Sequence, residues 1–407
     1  MLKFQRRSLL VFVVLFAVTL PFPLSFFPSP GDFLHGFFQK LNQFSAEHLF
    51  GMKPGYTARM ESDSTGLYIH VFHLAVFSLL AGWISILFFK KTNEEKLKYL
   101  LNASATYILA FFLLKYGFDK VFKVQFYLPE PNTLYTPLGF LSKDILFWST
   151  VGSSYSYSVF SGLMEIIPAL LLFSRRTRLL GGIIAFGVML HVLVINFSFD
   201  ISVKILSIYL LLLAAIVIRP YFRMLAGIFI LQKTDFPRPE IEKINKSKNK
   251  TRRFLKALVI VFVLFESLYI YVDQNNFNDD LAPRPKFHGT YQLLEQNTTI
   301  SGKSAYFGNL SAVQRVFIHR KGYLILQFQN DSMKDFPIML SPDGKTTVKT
   351  SHGFVEMNIH VDSTTKEYTF SWIENGQPLN LTGKKLDQNQ LPLLKDHFIW
   401  NIDDYHE

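Results

Sequence analysis

Residues 155–219 read YSYSVFSGLMEIIPALLLFSRRTRLLGGIIAFGVMLHVLVINFSFDISVKILSIYLLLLAAIVIR. The stretch is almost continuously apolar, yet it carries Glu165, His191, Asp200 and Lys204. Its length is that of three membrane crossings (155–173, 179–197 and 201–218), since one span needs about 20 apolar residues. A charge at the bilayer centre costs roughly 2.5–3.5 kcal/mol on insertion scales, so ionisable residues in such a stretch mark a candidate functional site.

Working outward, four further segments are long and apolar enough to span, at 8–27, 67–89, 97–118 and 254–272. Basic residues precede or join the spans in four places: Lys3, Arg6 and Arg7; Lys90, Lys91, Lys96 and Lys98; Arg175, Arg176 and Arg178; and a cluster from Lys233 to Lys256. With seven spans all four fall on one side, so the positive-inside rule predicts a cytoplasmic N-terminus and an external C-terminus. The first span has the basic start and apolar core of a signal peptide. Pro21-Phe22-Pro23-Leu24 is poor for cleavage, and a retained helix is expected.

Composition agrees. Of 407 residues 49% are hydrophobic and 18% charged, against about 25% charged in soluble proteins. The net charge of +11 sits in clusters that flank apolar segments, and no nucleic-acid-binding motif accompanies it, so membrane lipids are the expected partner and nucleic acid is not. Cysteine is absent, which removes disulfides, thiol redox chemistry, iron–sulfur clusters and Cys-bound zinc.

Two external loops stand out. In 28–66, Phe33, Leu34, Phe37, Phe38, Leu41 and Phe44 recur at helical spacing, as in a helix lying at the interface. The second, 119–154, is rich in Pro and aromatics, is expected to fold over the outer mouth of the bundle, and holds a short helix at 144–150. Residues 220–232 continue the sixth span as an amphipathic segment. Residues 273–286 read as a linker. Beyond them, alternating runs at 315–328, 353–361, 367–373 and 379–383, separated by turn signals such as Ser341-Pro342-Asp343-Gly344 and Glu374-Asn375-Gly376, predict an antiparallel β barrel or sandwich over 287–407.

Glu165 lies near the middle of the fourth span. A carboxyl there is either neutral or faces a partner within the bundle, whether for function or to tie two helices together. His70 and His73 share one helix face at the outer end of the second span, and His191 lies in the outer half of the fifth. Such a trio could ligate a metal or haem, although no metal-binding motif backs it and hydrogen-bonded histidines are the commoner case. Asp200 occupies the expected N-cap of the sixth span and stands four residues before Lys204, predicting a cap and a local ion pair. With Asn196, and with Lys115, Asp119 and Lys120 at the end of the third span, these groups define a polar outer vestibule. Seven spans without visible internal repeats or paired broken helices argue against a transporter.

Several strings resemble the DoxX-like membrane family: Tyr116-Gly117-Phe118-Asp119-Lys120, Gln125-Phe126, Pro137-Leu138-Gly139, Trp148 with Gly152-Ser153, and Phe160-Ser161-Gly162-Leu163-Met164-Glu165. So do Leu170-Leu171-Leu172-Phe173 with Arg175-Arg176-Thr177 and, above all, Asn196-Phe197-Ser198-Phe199-Asp200-Ile201-Ser202-Val203-Lys204. The ending Asp396-His397-Phe398-Ile399-Trp400-Asn401 is similar to that of larger bacterial variants that append a seventh helix and an external β-domain, while residues 61–66 depart from the Gly-Ser-Gly-Asp-like turn of those variants. The resemblance implies a four-helix bundle core over about 97–232 within an α-helical polytopic protein of about seven spans. It implies little about activity, because fold-level analogy does not fix function. The function expected is that of a bacterial inner-membrane protein holding a small lipophilic or quinone-like molecule in the outer half of the bundle. Glu165, His191, Asn196, Asp200, Lys204, His70, His73 and Lys115 would line that site, with quinone or haem as the candidate cofactor and a redox role as the extension. The alternative is a non-enzymatic anchor or assembly factor whose β-domain meets a periplasmic protein.

Overall fold

A computed structural model describes residues 3–19, 24–28, 30–88, 93–232, 250–294, 303–340, 345–395 and 400. The 341–344 turn, much of the basic cluster after residue 232, the proline pair at 21–23 and most of the 396–401 ending lie outside the described residues. The helices are α1 (Lys3–Thr19), α2 (Pro30–His48), α3 (Thr65–Phe88), α4 (Glu94–Val121), α5 (Pro131–Leu134), α6 (Lys143–Gly152), α7 (Tyr155–Phe173), α8 (Arg178–Ser198), α9 (Lys204–Ile218), α10 (Phe222–Phe229) and α11 (Lys250–Asp273). The strands are β1 (Gly289–Leu293), β2 (Lys303–Ser304), β3 (Gly308–Asn309), β4 (Val313–His319), β5 (Tyr323–Phe328), β6 (Met333–Leu340), β7 (Lys345–Thr350), β8 (Gly353–Val361), β9 (Glu367–Glu374) and β10 (Gln377–Lys385).

Among the described residues, six helices are long and apolar enough to cross a membrane: Thr65–Phe88, Glu94–Val121, Tyr155–Phe173, Arg178–Ser198, Lys204–Phe229 and Arg253–Asp273. The first expected span, 8–27, overlaps the 17-residue α1, which packs on α3 and α4 but is not among these six, and residues 24–28 are not helical. Residues 220–232 do continue the sixth span, as a short 3-10 turn followed by α10.

Contacts divide the chain into two units, 1–126 with 155–279 and 127–154 with 280–407. In the first, α4 packs on α7, α7 on α8, α8 on α9 and α9 back on α4, a closed ring of four helices. Lipid supplies no hydrophobic drive for such a ring, so close backbone approach has to hold it. Gly117 of α4 and Gly162 of α7 provide it: a Cβ on Gly162 would lie 2.5 Å from the Gly117 carbonyl oxygen, and one on Gly117 would lie 3.0 Å from the Gly162 oxygen. Leu109, Leu113, Ala169, Leu172, Leu213 and Val217 fill the interior. Helices α2 and α3 join through α1, and α11 lies along α4. At the start of α4 the Asn93 side chain accepts from the Glu95 and Lys96 amides, with Glu94 and Glu95 placed favourably for the helix dipole.

The second unit is a closed eight-stranded antiparallel barrel in the order β1-β10-β9-β8-β7-β6-β5-β4, with β4 pairing back to β1. Alternation places Val355, Met357 and Ile359 of β8 inside and Phe354, Glu356 and Asn358 outside. Phe307, from the turn between β2 and β3, fills the interior against Phe336 and Trp372 with ring centroids 5.0 and 4.9 Å away. The residual cavity beside it is about 10 Å³, room for one water at most. The run 315–328, read as one, is two strands joined by a turn at Gly322.

Of the Pro-rich segment 119–154, residues 127–154 belong to the barrel unit. Tyr135 lies over Phe317 of β4 and under the Arg315 guanidinium, and Gln327 of β5 donates to the Tyr135 carbonyl at 3.0 Å. The helix expected at 144–150 is α6.

Candidate functional site

Glu165 is 2% exposed in the middle of α7. Its Oε2 accepts from Lys120 Nζ at 2.9 Å. Side chains on a helix lean toward its N-terminus, so Lys120, near the C-terminal end of α4, reaches back along its own helix to meet a residue one turn beyond the Gly117–Gly162 crossing. Its ammonium also lies 5.6 and 5.7 Å from the ring centres of Tyr116 and Phe126. Ser158 of α7 donates to the Lys120 carbonyl at 2.8 Å, a second tie between the same helices.

Further charges join this pair along α4 and α11. Tyr271 donates to Asp119 at 2.5 Å. Lys115 donates to Ser25 Oγ at 3.0 Å and lies 5.5 Å from the Tyr271 ring centre. Glu266, the one acidic residue inside the seventh span (254–272), accepts three backbone amides, from Ser25 (2.7 Å), Phe26 (3.2 Å) and Phe27 (2.9 Å). A buried carboxylate with three N–H donors is well satisfied, and this one fastens the chain after α1 onto α11.

The three histidines are not brought together. His70 and His73 are buried, whereas His191 lies on an exposed face of α8. No group of three His, Asp or Glu residues suited to a metal occurs among the described residues. His70 Nε2 is 2.9 Å from Thr19 Oγ1 and its ring stands edge-on to Phe38. His73 Nδ1 is 2.8 Å from Asn42 Oδ1, and Nε2 is 2.9 Å from Ser45 Oγ. Asn42 accepting at Nδ1 fixes the tautomer in which Nε2 accepts from the serine. Serine, histidine and an orienting amide in this order are the parts of a hydrolase relay. Here all three are buried within the α2–α3 contact, so the arrangement is a lock between helices.

The cap expected from Asp200 comes instead from the loop between α2 and α3. Asp200 adopts a left-handed backbone (φ 56°) in the turn after α8 and does not cap α9. Asp63 does: it accepts from the Lys204 amide at 2.7 Å and the Ile205 amide at 3.1 Å, and its Oδ2 is 4.0 Å from Lys204 Nζ. The Lys204 ammonium also donates to the Ile201 carbonyl at 3.1 Å. The cap comes from 141 residues away because the loop docks here, with the Asp63 amide donating to the Ser202 carbonyl at 3.1 Å. Asn196 donates to Ser207 Oγ at 2.5 Å and thereby ties α8 to α9.

In the barrel unit the densest polar cluster surrounds Glu130. Arg320 Nε lies 2.7 Å from Oε1, and His288 Nε2 and His319 Nε2 lie 3.2 and 3.6 Å from Oε2. The Arg320 guanidinium stacks 3.6 Å from the Tyr127 ring centre. Burial alone would raise the Glu130 carboxyl; the His288 hydrogen bond and the charges of His319 and Arg320 outweigh it and hold it below its ordinary value. Burial, helped by Arg320 and opposed by Glu130, pushes His319 down.

No family model matches the chain, and neither does any solved structure. The uncharacterized protein YwoB of Bacillus subtilis (strain 168) is 33% identical over 137 residues, which cover 33% of this chain and 86% of the relative. The chain belongs to the YwoB family. Among the sequence-selected residues of this YwoB relative, Glu165 and Lys115 enter the cluster on α4, α7 and α11. Asn196 and Lys204 join the α8–α9 corner, His70 and His73 the α2–α3 contact, while Asp200 lies exposed in the turn before α9 and His191 faces outward. Lys120 was noted only as peripheral charge, and Asp63 and Glu266 were not selected. Glu266 was legible as an intramembrane carboxylate; the partner of Asp63 was not, since nothing in Ser62-Asp63-Ser64 points to α9.

Proposed function

We propose that this chain is a DoxX-like bacterial inner-membrane protein, N-terminus in the cytoplasm and barrel in the periplasm, that works as an anchor or assembly factor through the barrel. The reading rests on one observation: Glu165, Glu266, Asp63, Lys115, Asn196, His70 and His73 are each hydrogen-bonded to a group from another element of the helical unit. Buried polar groups so engaged hold helices together. Side chains such as Phe307, Phe336 and Trp372 fill the described barrel interior, and the reading places the periplasmic partner on the barrel surface. The test is functional complementation in a strain lacking the protein. Glu165→Gln, His191→Ala and Lys204→Met should each retain function, and deletion of 287–407 should abolish it. Loss of function in any stably folded point variant refutes the reading.

A second reading has its own support. A buried ion pair is weak evidence for stability, and an apolar pair often does as well, so Lys120–Glu165 beneath Tyr116 and Phe126 favours a small lipophilic or quinone-like ligand at this point. Mass spectrometry of extracts from purified protein tests it: a stoichiometric quinone or other lipophile, lost in Glu165→Gln, is the expected result, and an empty preparation overturns it.

A further inference from the structure

A cleft of about 600 Å³ opens between α1, α8, α9 and α10, a volume within the range of small-molecule sites. Leu9, Phe186 and Leu212 line it with Phe222, Leu225 and Phe229 of α10. The last three recur at i, i+3 and i+7, so one face of α10 is given to the cleft while Arg223 is exposed on the helix. Among the described lining residues the charged one is Arg219, at the junction of α9 and α10.

This is separate from the Lys120–Glu165 region. We infer that the cleft binds one anionic phospholipid, with an acyl chain along the apolar wall and the phosphate at Arg219. An almost wholly apolar lining admits a hydrocarbon chain and rejects a polar solute. A guanidinium is suited to grip a phosphate through two parallel hydrogen bonds. Charge complementarity extends beyond the cleft: Lys233, Arg238, Lys243, Lys246, Lys248, Lys250, Arg252 and Arg253 follow α10 in the sequence and outnumber Asp235, Glu240 and Glu242 among them, and Lys3 precedes Leu9. Basic segments beside a span attract anionic headgroups, at about 1 kcal/mol per residue near the surface. The cleft turns that general attraction into a site for one molecule.

The experiment is native mass spectrometry of the full-length protein in detergent, supplied with phosphatidylglycerol or phosphatidylcholine of identical acyl chains. Wild type should retain one phosphatidylglycerol about tenfold more strongly than phosphatidylcholine, the scale of one charge-assisted contact. Arg219→Gln should bring the two lipids to within about threefold, and Arg219→Lys should keep part of the preference. Ala215→Trp, which fills the cleft from α9, should reduce both. Excess inorganic phosphate should leave the bound lipid in place, because the buried chain supplies most of the contact. Equal retention of both lipids by wild type, or an unchanged preference in an Arg219→Gln protein that melts like wild type, overturns the inference, as does displacement by phosphate alone.

Discussion

Lys120→Met would leave the Glu165 carboxyl without its 2.9 Å partner inside the bundle. Two unit charges at that separation attract by about 6 kcal/mol at an effective dielectric near 20. Desolvation costs several kcal/mol for each ion, so the intact pair contributes little net stability. Half of the pair is another matter: a buried charge stripped of its partner destabilises by about 3–5 kcal/mol. The side chains are 8% and 3% exposed, so solvent offers little relief. Lys120→Met combined with Glu165→Leu removes both charges and should restore most of the loss. Glu165→Gln alone should be milder than Lys120→Met, because an amide oxygen can still accept from Lys120. Unfolding of the detergent-solubilised full chain, measured for wild type, each single variant and the double, gives the coupling energy as a double-mutant cycle. A double variant no more stable than Lys120→Met, or a Lys120→Met protein within about 1 kcal/mol of wild type, would refute the argument. The same double variant separates the functional readings: folded and active favours the anchor, folded and inactive the ligand site.

Asp63→Ala should destabilise by about 1–2 kcal/mol in the same unfolding assay, as the cap of α9 is lost, whereas Asp200→Asn should stay within about 0.5 kcal/mol because Asn tolerates the left-handed turn; the reverse order would return the cap to Asp200. Gly162→Ala should cost about 1–3 kcal/mol, since the new Cβ would meet backbone 2.5 Å away, and a neutral result would show that α4 and α7 can part there without loss. The barrel unit should weaken in acid in two steps. His319 is depressed on folding, so its contribution is complete above 6.5, its ordinary value, and declines as the pH falls below it, because the unfolded chain takes up the proton first. Glu130 is also depressed, so its contribution is complete above 4.5 and is lost as the pH falls through its lower folded value. Amide hydrogen exchange over 127–154 and β4 in the full-length protein should show both steps, with Glu130→Gln abolishing the lower one; protection unchanged from pH 7 to pH 4 contradicts the assignment.

The spans were legible because hydropathy over about 20 residues survives any error in detail: the 155–173, 179–197 and 201–218 segments coincide with α7, α8 and α9 to within three residues at each compared end. The barrel was legible as alternation and turns, and the strands that escaped are those with weaker alternation. β6 holds Lys334, Asp335 and Pro337, and β7 is a short polar run, Lys345–Thr350. Closure was beyond reach, because it depends on β1 pairing with both β4 and β10, and β1 is only five residues long. The 127–154 part of the loop was not legible as part of the barrel unit, since chain order says nothing of the Glu130 cluster, whose partners lie 158 to 190 residues further on.

The residues of the candidate site follow the same logic at closer range. Local spacing offered Asp200 as cap and partner of Lys204, and the cap went to Asp63, because a helix N-terminus takes any carboxylate that tertiary packing brings to it. Spacing also offered three outer histidines as one cluster, but a helix has several faces, and His191 stands on one that turns away from the bundle. Glu165 was singled out by depth alone. The sequence rule recognises that a buried carboxylate needs a partner, and the geometry supplies Lys120 by having α4 and α7 cross at two glycines, one turn before Glu165. A glycine crossing is therefore part of the electrostatics of this bundle: without Gly117 and Gly162 the helices stand further apart, and the ammonium that neutralises Glu165 no longer reaches it.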